Sequence, residues 1–159
     1  DLAAEERLAA TSDLRAEAPA LALGGPPECP TRPNCLLGLR DVYGLRFERF
    51  VPLAGSALVR QALDDGVIDV AVLFATDPAV AGDGVRVLLD DRELQPAENV
   101  VPVVRASVLD DTVAVALGEV SAALTTTNLR FLNWRVANAG TSVAAEARGW
   151  LHRHDLPDD

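Results

Sequence analysis

An α/β layered domain with a mainly parallel sheet, followed by an all-helical tail, is the fold class this sequence predicts. Three observations predict it. Val67 to Ala75 (VIDVAVLFA) is near-continuously apolar and β-branched, the pattern of a strand covered on both faces. Strand-like and helix-like segments alternate up to about residue 100. From Leu109 onward, apolar residues recur only at helical spacing.

The elements follow in order. Asp1 to Ala10 reads as the end of a helix. Ser12 is a good N-cap for a short helix over Asp13 to Ala18, with Asp13 near the positive end of its dipole. Ala20 to Leu23 is a strand. Leu36 to Val42 is a helix, and Gly44 is placed to end it with φ above zero. Phe47 to Leu53 is a strand with alternating faces. Ser56 to Asp65 is a helix that Gly66 closes. After the strand over Val67 to Ala75, Thr76-Asp77-Pro78 turns into another short helix. Val85 to Leu89 and Val100 to Val104 (VVPVV) are two further strands. The tail reads as three helices over Thr112 to Leu124, Thr126 to Ala137 and Ser142 to His154. Val113, Leu117, Val120 and Leu124 form one apolar stripe; Leu129, Leu132 and Val136 form another. Thr126 and Ser142 are N-cap candidates, and Glu146 adds acid in a first turn.

Gly24 to Cys35 (GGPPECPTRPNC) interrupts this pattern. It holds four prolines, two glycines, both cysteines and Arg32. Each proline fixes φ and removes a backbone donor, so the segment is neither helix nor central strand. It is an ordered strand-to-helix loop, and stiff loops on a rigid scaffold are where binding groups usually sit. Arg32 is either a carboxylate or phosphate clamp or a plain surface arginine. Cys29 and Cys35 stand six apart in a loop bent by Pro30 and Pro33. That brings their Cα atoms within the disulfide range of roughly 4.4–6.8 Å. A zinc site wants four ligands, and the only histidines, His152 and His154, are near the other end. A disulfide is the favoured reading, and it implies an oxidising compartment.

Length and composition bound the rest. The 159 residues suffice for one domain and are marginal for two. Hydrophobic residues make up 49%, which argues against disorder. The net charge of −10 argues against a nucleic-acid partner and against an anionic membrane surface. All 14 basic residues are arginine. With no methionine, the chain is expected to begin at a processing or artificial boundary, so the absence of a signal peptide does not exclude export.

Catalytic signatures are missing. There is no Gly-rich phosphate loop and no G-x-S-x-G elbow. The paired acids Asp64-Asp65, Asp90-Asp91 and Asp110-Asp111 all fall at element ends, where solvated aspartates belong. His152-Arg153-His154 reads as a solvated helix end. No catalytic residue, metal or cofactor is expected. In open α/β sheets ligands sit beyond the carboxyl ends of strands. Gly24 to Cys35, Thr76-Asp77 and Gln95 to Asn99 all lie there; for Thr76-Asp77 the competing reading is capping of the next helix.

An ordered series of short motifs resembles one family. The run from Pro26 to Phe47 (PPE-x-x-x-R-x-x-C-x-x-GL-x-x-x-YGL-x-F) resembles the substrate-binding proteins of osmoprotectant ABC importers. So do Ala62-Leu63 with Gly66 and Ile68-Asp69-Val70, then Phe74 to Asp77, Leu88 to Asp91, Gln95-Pro96 and Asn99 to Arg105. Leu132-Asn133 with Val136, and Ala147 to Leu151, complete the series. The resemblance implies a type II periplasmic-binding-protein-like lobe and covers only the second half of that family's proteins. On this reading residues 1–98 are ligand-binding lobe two. Residues 99–105 are a hinge return strand, and residues 106–159 are helices that would pack on lobe one. It also implies a site: a cage of aromatic rings around a quaternary ammonium, and an arginine for any carboxylate. By position Arg32 is that arginine and Phe74 a cage aromatic, with Thr76, Asp77, Glu98 and Asn99 beside them. Glu98 stands where the family usually carries tyrosine. The implied protein is an extracytoplasmic solute-binding component, periplasmic or a cell-surface lipoprotein, that serves an ABC transporter permease. It has no catalysis and no nucleic-acid partner, and it can dimerise through uncovered apolar faces. The rival is the effector domain of a transcription regulator with a similar fold; the cysteine pair favours transport.

Overall fold

The computed structural model describes residues 8–81 and 84–157. The helix end expected over residues 1–10 falls largely outside them. The chain divides into two units, residues 1–97 and 98–159.

The first unit is built on a three-stranded parallel sheet of order β2-β1-β3. Its strands are β1 (Ala22–Gly25), β2 (Arg49–Pro52) and β3 (Val70–Ala71). Two helices accompany them, α1 (Leu36–Tyr43) and α2 (Ser56–Asp64). Ala22 faces Arg49 on one side, and Leu23 faces Val70 on the other. Leu21, just before β1, and Ala22, its first residue, serve opposite layers, as strand alternation requires. Leu21 packs with Leu14, Tyr43 and Leu45, while Ala22 packs with Val59, Ala62 and Ile68. The sheet is therefore covered on both faces, the usual state of a parallel sheet.

Several expected elements are shorter than the sequence suggests. The strand over Val67 to Ala75 pairs only at Val70–Ala71. Its sole neighbour is β1, which ends at Gly25 because Pro26 and Pro27 cannot continue a ladder. Asp69 extends the pairing backward: its amide donates to the Ala22 carbonyl (3.0 Å), and its carboxylate accepts from the Ala22 amide (2.8 Å). Val85 to Leu89 is not a strand but a single parallel bridge, Ala10 to Leu89. Val100 to Val104 forms no strand either, because no other segment among the described residues pairs with it. The expected helix over Asp13 to Ala18 is two 3-10 turns, Thr11–Arg15 and Ala18–Ala20. Ser12 does not cap them. Asp13 accepts from the Ala9 and Ala10 amides, and Ser12 bonds Asp91 instead. Gly44 does take the left-handed conformation after α1, with φ +72°.

The second unit holds three helices, α3 (Asp111–Ala123), α4 (Thr126–Asn138) and α5 (Val143–Arg153). Each starts on a side-chain cap. Asp110 accepts from the Val113 amide, Thr125 from Asn128, and Ser142 from Ala145. The cap of α4 is thus Thr125, one residue before the expected Thr126. Arg135 of α4 and Glu146 of α5 form a two-pronged ion pair with both N–O distances at 3.0 Å. Glu146 is buried, so it is a bridging group rather than first-turn acid alone. Trp150 is buried and stacks on His154 at 4.4 Å.

The Arg135 guanidinium holds the Glu146 carboxyl below its usual range. A depressed carboxylate stabilises above its unfolded-state pKa, and that stability is lost as pH falls through the folded value. Glu146→Gln should therefore lower Tm at pH 7, and the gap to the unsubstituted chain should close as pH drops below about 4. A Tm difference independent of pH would contradict this.

Candidate functional site

Gly25, the last residue of β1, leads into the proline loop. A 3-10 turn over Cys29–Thr31 begins it, and the Cys29–Cys35 disulfide closes it with Cα atoms 5.2 Å apart. Both cysteines are buried. The sulfur bridge is thus the loop's own core, and Arg32 is carried outside it. The guanidinium is 60% exposed and lies 3.3 Å from the Glu28 carboxylate, one turn back. An exposed pair of this kind contributes little to stability and is easily exchanged for another anion.

Two contacts fix the loop from behind. Gly38 of α1 packs against the backbone carbonyl of Pro33, leaving no room for a side chain. The Gln95 side-chain amide donates to the Asn34 carbonyl at 2.6 Å. Gln95 is itself held by Asp90, whose carboxylate accepts from the Leu94 amide (3.1 Å) and the Gln95 amide (2.7 Å). The Tyr43 hydroxyl also donates to Asp90. That hydroxyl accepts from the Arg92 amide (2.8 Å), and the Arg92 guanidinium sits 5.5 Å from the Tyr43 ring centroid. Tyr43 is buried, and burial with the Asp90 contact raises its pKa. Asp90 lies below the usual carboxylate range; burial opposes that shift, and the hydrogen bonds from Tyr43, Gln95 and Leu94 produce it. Asp91 is likewise lowered, chiefly by Ser12. Asp90 is therefore a structural acceptor and not the solvated element end expected, whereas Asp91 is exposed and bonds Ser12. Only the spacing between Tyr43 and the Asp-Asp pair could have hinted at this.

Phe74 follows β3 and is 69% exposed. Its carbonyl accepts from the Asp77 amide at 3.0 Å. Asp77 caps the 3-10 turn Pro78–Val80, accepting from the Ala79 amide at 2.9 Å. The capping reading of Asp77 thus holds. Thr76 is half-buried. Because β1 and β3 are adjacent, the loop with Arg32 and the turn with Phe74, Thr76 and Asp77 leave neighbouring strands at their carboxyl ends. Glu98 and Asn99 belong to the second unit, and both are exposed. A groove of about 260 Å³ elsewhere on the first unit, between Pro30, Leu36 and Arg46, involves none of these residues. Among the described residues, no group of three or more His, Cys, Asp or Glu side chains is arranged to hold a metal.

A parallel sheet covered on both faces, with loops leaving the carboxyl ends of its strands, is the frame of a periplasmic-binding-protein-like fold. A solved structure titled "Crystal structure of glycine betaine/carnitine/choline ABC transporter" superposes with a TM-score of 0.84 over 96% of this chain and 56% of that one, at 24% identity. Apo YehZ from Escherichia coli superposes with a TM-score of 0.70 over 96% of this chain and 58% of its own, at 25% identity. A glycine-betaine-binding protein of Pseudomonas aeruginosa is 29% identical over 136 residues, covering 84% of this chain and 44% of that protein. The profile of one family, the substrate-binding domain of ABC-type glycine betaine transport systems, matches residues 1–153. The chain belongs to that family. It spans about half the length of the relatives it matches.

Two outcomes test this architecture. Gly38→Ala should cost about 1–3 kcal/mol in urea unfolding, because the opposing atom is backbone and must move. Replacing Cys29 and Cys35 by serine should cost about 2 kcal/mol, the loop-closure entropy of so short a ring. An unchanged midpoint in either variant would show that the loop is not braced as described.

Proposed function

We propose that this chain is part of an extracytoplasmic solute-binding component of an ABC importer, and that its solute is a quaternary ammonium osmoprotectant of the glycine betaine or choline class. The observation that carries the reading is Arg32, an exposed guanidinium on a disulfide-closed loop at the carboxyl end of the central strand. Among the described residues its ion-pair partner is a displaceable surface carboxylate, as a group awaiting a solute carboxylate needs. Phe74, on the neighbouring strand end, offers an exposed ring face to a cation that has no N–H to donate. Thr76, Asp77, Glu98 and Asn99 complete the proposed set of ligand-binding positions. Glu98, in place of an aromatic, attracts the ammonium by charge and disfavours a solute carboxylate placed near it.

On this reading residues 1–98 form the second of two lobes, residues 99–105 return across the hinge, and residues 106–159 pack on the other lobe. Closure of the lobes captures the solute, and the closed form is presented to a permease. The buried Cys29–Cys35 disulfide supports a site outside the reducing cytoplasm, in a periplasm or on a cell-surface lipoprotein, and weighs against a cytosolic regulator. Among the described residues no helix is long and apolar enough to cross a membrane. The named relatives are binding proteins, so the role proposed involves no catalysis.

The test is a thermal-shift panel on the longest natural polypeptide that contains these residues. Glycine betaine, choline, carnitine and proline betaine are set against sugars and amino acids. A solute at a hundred times its Kd adds about 2.7 kcal/mol. Arg32→Ala should weaken glycine betaine binding at least tenfold and leave choline, which has no carboxylate, nearly unchanged. Equal loss for both solutes would remove Arg32 from the carboxylate role. A shift with sugars or amino acids alone would overturn the solute class.

A further inference from the structure

Arg32 shares its loop with a carboxylate. Glu28 stands four residues before it, and Nη2 of Arg32 lies 3.3 Å from Oε1 of Glu28. Both side chains are open to solvent, Arg32 at 60% and Glu28 at 49%. The backbone between them is fixed. The Glu28 carbonyl accepts from the Thr31 amide and from the Thr31 hydroxyl, both at 3.1 Å. The Arg32 amide donates to the Cys29 carbonyl at 3.2 Å. Cys29, next to Glu28, is bonded to Cys35, three residues beyond Arg32. Pro30 and Pro33 limit the freedom that remains. The two charged residues therefore ride on one stiffened turn, and their contact needs no other part of the chain.

On the solute-binding reading above, we propose that Glu28 is a specificity-determining residue. Its carboxylate competes with a solute's carboxylate for Arg32 and so tilts the site toward cations that carry none. A group tethered on a short linker is presented at an effective concentration on the order of millimolar, whatever the solute level. Glu28 is thus a standing occupant of the guanidinium. It is also a weak one. Its single N–O approach at 3.3 Å is longer than the roughly 2.7–2.9 Å of a strong charge-assisted bond. A solute carboxylate that docks on the planar fork with two oxygens can displace it.

The two kinds of solute meet Glu28 differently. Glycine betaine has to exchange one carboxylate for another at Arg32, and the exchange subtracts from its affinity. Choline has no carboxylate and exchanges nothing; the Glu28 charge attracts its ammonium. As a brace Glu28 is redundant. Backbone hydrogen bonds and the disulfide already hold the turn, and an exposed ion pair adds little to them.

The test is calorimetric titration of the longest natural polypeptide that contains these residues, with glycine betaine and with choline. Glu28→Gln keeps the side chain's shape and removes its charge. It should tighten glycine betaine about two- to fivefold, the range in which exposed ion pairs act. Choline should bind no tighter, so the ratio of the two Kd values moves toward glycine betaine. Tm without solute should be the same in both proteins. In an Arg32→Ala background the same substitution should lose most of its effect on the ratio, because nothing is left to compete for. Equal or weaker glycine betaine binding, an equal gain for choline, or a gain that survives Arg32→Ala in full would overturn the proposal and leave the solute class standing. Failure of the unsubstituted protein to bind either solute would overturn both readings.

Discussion

The carboxylate of Asp90 is the junction on which the first unit's proline loop depends. It receives the Tyr43 hydroxyl from the end of α1 and the amides of Leu94 and Gln95 from its own turn. Several donors converging on a carboxylate favour its ionised form, which is why its pKa is lowered in spite of partial burial. The consequence reaches outward. Once Gln95 is fixed, its side chain is aimed at Asn34, and the proline loop gains an anchor in addition to its own disulfide. Arg92 closes the same junction from the far side through the Val42 carbonyl and the Tyr43 ring.

This arrangement divides stiffness from chemistry. Prolines limit the loop's backbone, the disulfide fills its interior, and Gly38 lets α1 press against its carbonyl. Arg32 and Phe74, which do face solvent, spend no packing energy on the fold. Such side chains can be exchanged without disturbing the frame that presents them. Glu98 lies on a stretch that makes no hydrogen bonds among the described residues, so a change of side chain there costs the fold little.

Local signals were legible in the sequence, and long-range ones were not. Gly44 after α1, Ser142 before α5 and the cysteine pair each depend on a few neighbouring residues, and each stands where local chemistry puts it. The loop positions of Arg32, Phe74 and Asp77 follow from the same local punctuation. Strand length is different, because a strand exists only as long as its neighbour does. Val72 to Ala75 are as apolar as Val70 and Ala71, yet they run past the point where Pro26 ends β1. Among the described residues the backbone of Val85 to Leu89 pairs only at Leu89, with residues 9–11, and one bridge resulted. The roles of Asp90 and Ser12 were hidden for the same reason: their partners lie 47 and 79 residues away.

The residues at 99–105 show the converse. Their β propensity is strong, and the sequence reads them as a strand, yet nothing among the described residues pairs with them. Propensity sets what backbone a segment prefers; only a partner converts that preference into a ladder. Five exposed apolar residues in a row would be a liability on a finished surface. Exposed apolar side chains also lie elsewhere, at Phe74, Val87, Leu89, Phe131 and Val143, so residues 100–104 differ in being consecutive and, among the described residues, unpaired. Whatever covers that segment must supply hydrogen-bonding backbone as well as apolar contact, and that requirement is met by another strand and not by a helix face or a membrane surface.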